Sequence, residues 1–246
     1  MAQLKIAPWG DSITGQMDPG YRYLLVKLLL NHSPKINFTM VGKWCDKDNG
    51  HPELIPKGLE TYSCQTGNAM ADIGDILGDL DGFAFQQPDF ILLMGGTNDV
   101  GKHTVKQYQD GLKNLLTITF QKIPNTRILV ASVPPRSINQ DTVNKFNAII
   151  PGLIKEFSDK GKKIQFVDMS KSLLISDFPD GVHPGIIGCE KMANLFYQSL
   201  IPHLQWVGIG NSFSSKSKSY KHIQYRLNGK LSKYSYYRIN QSGDTE

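Results

Sequence analysis

Apolar positions along the chain follow two periods that take turns. Leu4–Ala7 is a short apolar run that predicts a first strand. Tyr21–Asn31 places Leu24, Leu25, Leu28 and Leu29 at helical spacing and predicts a first helix. Ile36–Val41 alternates as a second strand would. The stretch from Gly42 to Thr66 is polar and rich in Gly, Pro and Asp, so it reads as a long loop, and loops of that length in compact domains tend to carry function. Asn68–Leu80 predicts a helix with Met70, Ile73, Ile76, Leu77 and Leu80 on one face. Phe90-Ile91-Leu92-Leu93-Met94 is continuously apolar, the mark of a strand buried on both faces of a parallel sheet. Thr104–Lys122 predicts a long helix, Arg127–Ser132 a fourth strand, and Asp141–Lys160 a helix that Pro151 should kink or interrupt. Ile164–Val167 is a fifth, shorter strand, and Gly185–His203 a last helix with Met192, Leu195, Phe196 and Leu200 facing inward.

Five strands separated by helices call for an open parallel sheet with helices on both sides. In such sheets ligands bind beyond the carboxyl ends of the strands. The polar residues of interest fall at those ends. Gly10-Asp11-Ser12 follows the first strand, Thr66-Gly67-Asn68 precedes the second helix, Gly95-Gly96-Thr97-Asn98-Asp99 follows the third strand, and Asp180-Gly181-Val182-His183-Pro184 precedes the last helix.

A serine at a strand-to-helix turn exposes its hydroxyl, and its own N–H points with the other free amides of the helix start. Ser12 therefore has the placement of a nucleophile with an oxyanion donor beside it. His183 is the candidate general base, and Asp180, three residues earlier, can fix its tautomer. Asn98 offers a side-chain N–H and Gly67 a backbone N–H with no Cβ in the way. Each residue alone has a plainer reading. Asp11 and Ser12 can simply cap a helix, Asp180-Gly181 is a common turn pair, and Gly67, Gly95 and Gly96 can simply turn the chain. Their occurrence in order, on one edge of one sheet, points to chemistry.

These blocks resemble those of the SGNH hydrolases, also called the GDSL esterase and lipase family, over residues about 4–204. The resemblance implies a flavodoxin-like three-layer α/β/α sandwich with a five-stranded parallel sheet, and ester hydrolysis through an acyl-enzyme without metal or cofactor. It implies Ser12 as nucleophile, Asp180 and His183 as its partners, and Ser12, Gly67 and Asn98 as the oxyanion hole. Asp11, Gly96 and Asp99 complete the blocks as supporting residues. Ala7-Pro8-Trp9-Gly10-Asp11-Ser12-Ile13-Thr14, Tyr21-Arg22 and Phe38-Thr39-Met40-Val41-Gly42 are similar to the carbohydrate-esterase branch that removes acetyl groups from xylan-like glycans. Trp9, where a small aliphatic residue is usual, and Asn68, where an aromatic one often stands, depart from that branch. The expected substrate is a small acyl ester, an acetylated carbohydrate first. The alternatives are a lipase, lysophospholipase or thioesterase of the same family, and a catalytically silent module that binds a glycan or protein.

Composition changes this picture in two places. The net charge of +5 lies entirely in residues 208–246, which hold seven basic and two acidic side chains; the other 207 residues hold 20 of each. A neutral body excludes nucleic acid as its partner. The basic tail divides into a Ser/Lys linker, Ser212–Ser219, and two Tyr-rich arms, Tyr220–Leu227 and Lys230–Ile239, around Asn228-Gly229, a strong hairpin signal. Residues 1–207 thus read as the hydrolase domain and 208–246 as an extension that contacts an anionic surface or a glycan, or is merely solvated. No apolar run reaches the roughly 18–20 residues of a membrane span. Met1-Ala2-Gln3-Leu4 lacks a secretory pattern, which reads as cytoplasmic, or as secreted where a leader has been removed. Cys45, Cys64 and Cys189 are odd in number without C-x-x-C spacing and read as buried thiols, a Cys45–Cys64 bridge being the alternative. His51 and His103 read as solvated surface histidines.

Overall fold

The structure is a computed structural model that describes residues 3–16, 20–46 and 52–204, together with the backbone of 221–227 and 230–237. It divides into two compact units, Met1–Gly208 and Ile209–Glu246.

In chain order the first unit runs β1 (Leu4–Gly10), α1 (Ser12–Gly15), α2 (Tyr21–Leu30), β2 (Phe38–Met40), β3 (Trp44–Cys45), β4 (Cys64–Gly67), α3 (Ile73–Gly78) and α4 (Asp81–Ala84). It continues with β5 (Phe90–Met94), α5 (Val105–Lys122), β6 (Arg127–Ala131), α6 (Gln140–Asp159), β7 (Ile164–Val167) and α7 (Ile186–Leu204). The five expected strands are present and parallel, in the order β2-β1-β5-β6-β7. This is the doubly wound order in which the chain reverses direction across the sheet at β1.

The sheet is larger than five strands. The Gly42–Thr66 stretch is not one loop: it contributes β3 and β4, which pair antiparallel with each other, and β4 then runs parallel to the end of β1. β1 shares one edge between two partners, with Leu4–Ile6 against β2 and Trp9-Gly10 against Thr66-Gly67. Short strands of mixed polarity leave no periodic signal, so tertiary pairing alone makes them. Cys45 lies directly opposite Cys64, and the two form a disulfide. That corrects the reading of these two as thiols; Cys189 is a buried thiol outside the disulfide and donates to Pro184 O.

Alternation along the strands explains the three layers. Leu4, Ile6, Leu92, Met94 and Leu129 pack with Leu25, Leu29, Met192 and Phe196 of α2 and α7. Trp9, Ile91, Leu93, Ile128 and Val130 pack on the other face with Ile76, Phe83, Leu116 and Phe146 of α3–α6. Trp9 is wholly a core residue there: its ring meets Phe83 edge-on and its Nε1–H donates to Ile76 O at 3.0 Å.

Two helices differ from expectation. The Asn68–Leu80 helix begins only at Ile73, because Asn68 N–H is taken by Gly10 O of β1 and Asp72 caps the first turn through Gly74 and Asp75 N–H. Met70 lies outside it, exposed and at φ +63°. α6 runs through Pro151 as one helix. Proline removes a single backbone bond, and the buried stripe Val143, Phe146, Ile150, Leu153 and Phe157 holds both halves to the sheet.

In the second unit, β8 (Lys221–Leu227) and β9 (Lys230–Tyr237) pair antiparallel with Leu227 opposite Lys230, as a two-residue hairpin requires. The Asn228-Gly229 turn and the Ser212–Ser219 linker lie outside the described residues.

Candidate active site

Four loops at the carboxyl edge of the sheet supply the site. β1 ends in Gly10, and Asp11 caps the single turn of α1 by accepting from Ile13 N–H at 3.1 Å. Ser12, first in that turn, keeps an N–H with no intrahelical acceptor. The loop before α7 carries His183, whose Nε2 lies 2.9 Å from Ser12 Oγ. Its Nδ1 lies 2.8 Å from Asp180 Oδ2. Asp180 Oδ1 also accepts the main-chain N–H groups of His183 at 2.6 Å and Val182 at 2.8 Å. The His183 N–H, the imidazole and the Val182 N–H together hold the Asp180 carboxyl down at about 2, against a smaller cost of burial. The tight turn needs glycine at 181, where φ is +82° and a Cβ would lie 2.2 Å from Ser137 Oγ. Ser137 N–H in turn donates to Gly181 O. The pair is open to solvent, with His183 40 % and Asp180 57 % exposed.

Gly67 closes on the short helix that begins at Ser12: a Cβ there would lie 2.1 Å from Gly15 N. Its N–H is not free. It donates to the side-chain Oε1 of Gln65 on the same face of β4. Asn98 comes from the β5 end and donates one Nδ2 hydrogen to Ala71 O at 2.9 Å, leaving the second. Gly96 takes φ +114°, which turns the chain after β5. Asp99 points away from the site: it is fully buried, accepts from Ile73 N–H, and meets His103 Nδ1 at 2.8 Å. Burial raises the Asp99 carboxyl, against the pull of His103. His103 is thus a partner of a buried carboxylate rather than a solvated histidine; His51 lies outside the described residues. Asp11 is buried completely, and burial raises its carboxyl to about 6 against the opposing pull of Thr97 and the Ile13 N–H.

Behind these groups lies a buried polar cluster. Arg22 donates to the carbonyls of Thr14, Gly15 and Gln16, the C-terminal end of α1, and to Asp46 Oδ2 at 2.8 Å. Tyr23 OH donates to the same oxygen at 2.7 Å, and Gln65 Nε2 to Asp46 Oδ1 at 3.1 Å. Gln16 Nε2 donates to Pro184 O, tying the Ser12 turn to the His183 loop. Ser12, His183, Gly67, Gly15, Gln16, Asp46, Gln65 and Ala69 line a cavity of about 490 Å³.

A model of the GDSL-like lipase/acylhydrolase family matches residues 6–196. The chain belongs to this family. The family 3 carbohydrate esterase of Clostridium thermocellum is similar to it, 27 % identical with a TM-score of 0.71 over 84 % of this chain and 99 % of that one. A carbohydrate esterase family 3 structure from Talaromyces cellulolyticus shares the fold at 22 % identity, with a TM-score of 0.69 over 84 % of this chain and all of the other. A multidomain esterase of Ruminococcus flavefaciens is 27 % identical over 226 residues, which are 82 % of this chain and 29 % of that protein. The chain spans about half or less of the length of the curated relatives it matches. The family and the three-layer fold implied by the motif blocks are thereby borne out.

Within this GDSL-like chain, the residues that sequence reasoning missed are Arg22, Asp46, Gln65 and Gln16. Arg22 stood beside Tyr21 in a stretch similar to the esterase branch, which is the one signal that it mattered. Asp46 and Gln65 are single polar residues in what read as a loop. Nothing local marks them, because their role comes from the β3–β4 pairing.

Proposed function

We propose that the chain is a serine ester hydrolase that removes short acyl groups, acetyl first, from a carbohydrate through an acyl-enzyme. The observation that carries this is the unbroken line Ser12 Oγ to His183 Nε2 at 2.9 Å and His183 Nδ1 to Asp180 Oδ2 at 2.8 Å. Ser12 Oγ attacks the acyl carbon as its proton passes to His183 Nε2. The oxyanion is met by the N–H groups of Ser12 and Gly67 and by the side-chain N–H of Asn98, each worth on the order of 3 kcal/mol in the transition state. The tetrahedral intermediate expels the alcohol, which takes the proton back from His183, and water repeats the sequence on the acyl-serine.

The cavity beside Ser12 and His183, about 490 Å³, has room for a small acyl group with part of its alcohol. The likeness to the C. thermocellum carbohydrate esterase supports a carbohydrate as that alcohol. The Cys45–Cys64 disulfide favours an oxidising compartment. The basic tail is read as a contact for an anionic surface or glycan; deleting residues 212–246 without change in glycan or vesicle binding would discard that part.

The test is Ser12→Ala. Turnover of p-nitrophenyl acetate and of an acetylated xylo-oligosaccharide should vanish while the circular dichroism spectrum is kept. Equal rates in the two proteins would reject the mechanism. Hydrolysis of octanoyl esters well above acetyl esters would favour a lipase instead.

A further inference from the structure

The Gly67 N–H, which the proposed reaction needs for the oxyanion, already has an acceptor. That acceptor is a carboxamide oxygen, the same kind of group as the ester carbonyl that would have to replace it. An N–H has one hydrogen, and a second acceptor on it makes both bonds poor. Gln65 is 5 % exposed and lies in the wall of the cavity that holds Ser12 and His183. Its other end is tethered: Nε2 donates to Asp46 Oδ1, while Asp46 Oδ2 is fixed by Arg22 and Tyr23. The disulfide joins the residues just before Asp46 and Gln65, which keeps the two side by side.

We propose that Gln65 gates the oxyanion hole: its carboxamide oxygen holds the Gly67 N–H while the site is empty and yields it to the acyl oxygen of the substrate. The inference rests on the ester-hydrolase reading. The physical rationale is that a half-buried N–H without an acceptor is costly. In the empty site Gln65 supplies the acceptor, and the Asp46 tether returns it there after product leaves. Gln65 is a positioning residue that acts through Gly67, and it makes the free protein its own weak competitor. Ligands that cannot place an oxygen on the Gly67 N–H do not open the site.

The experiment uses Gln65→Met, close in shape but without a strong acceptor. Wild type and Ser12→Ala are run beside it on p-nitrophenyl acetate, with an alkylboronic acid as the mimic that places a tetrahedral oxygen in the hole. If Gln65 competes for the amide, kcat/KM rises about 5-fold and boronate inhibition tightens by about the same factor, the worth of one neutral hydrogen bond. The melting temperature falls, because Asp46 loses a donor. A residue with only a structural role would lower kcat and leave boronate affinity unchanged or weaker, and that result overturns the proposal. Should Gln65→Met fail to fold, the wild-type protein phosphonylated at Ser12 decides. A phosphonyl oxygen on Gly67 N, with Gln65 Oε1 displaced beyond hydrogen-bond range, supports the gate; Gln65 still bonded to Gly67 N–H in the labelled protein overturns it alone. Absence of both turnover and labelling in the wild type would instead bring down the hydrolase reading, and the gate with it.

Discussion

Replacing Asp180 by asparagine tests how much the carboxylate behind His183 contributes. Asparagine keeps an oxygen that can accept from the N–H groups of Val182 and His183, so the turn should survive. What is lost is a full negative charge beside the imidazolium that the proposed proton transfer from Ser12 forms. Two unit charges about 4 Å apart attract by about 1 kcal/mol in water and about 4 kcal/mol near a protein surface. With Asp180 57 % and His183 40 % exposed, this pair belongs near the watery limit, at about 1–2 kcal/mol. The expected loss in kcat/KM from the charge is therefore about 5- to 30-fold, against about 10⁴-fold where an asparagine locks the imidazole in the wrong tautomer. The assay is kcat/KM for p-nitrophenyl acetate at pH 8, with thermal melting to show that the fold is kept. A loss of about 10³-fold or more with unchanged melting would mean that the introduced amide donates to His183 Nδ1 and holds the ring in the tautomer that cannot accept the Ser12 proton. A loss below about 2-fold would mean that Asp180 does not support His183 during turnover. Either result refutes the account by screened charge alone.

Asp11→Asn should change how stability depends on pH. Burial raises the Asp11 carboxyl to about 6, so the native state favours its protonated form, and the stability this contributes is full below about pH 4 and lost as pH rises through about 6. The variant has no such loss, and its urea-unfolding stability should gain on wild type by about 3 kcal/mol between pH 4 and pH 8; parallel curves would show that the buried carboxyl does not titrate as described. Arg22→Met should cost about 3–5 kcal/mol in the same assay, because it leaves the Asp46 carboxylate buried without its cation. It should also slow turnover, since the Thr14, Gly15 and Gln16 carbonyls lose their donor, and an unchanged midpoint would show that Tyr23 and Gln65 suffice to hold Asp46.

The sequence by itself determined the layers and the positions of the candidate site blocks. Phe90–Met94 is apolar at every position because a central parallel strand is covered on both faces. The Gly-Asp-Ser turn at Ser12, Gly95–Asp99, and Asp180 to His183 are legible because tight turns and caps need particular residues at fixed offsets. Tertiary structure decided what depends on partners far along the chain. β3 and β4 exist only through pairing, and that pairing placed Cys45 against Cys64 and Gln65 against Asp46. It also put an acceptor on the Gly67 N–H. The start of α3 followed from β1 claiming Asn68, although the apolar spacing through Met70 favoured an earlier one. Periodicity records which face of an element is buried; it does not record which distant polar group will meet another, and the buried cluster around Arg22 is made wholly of such meetings.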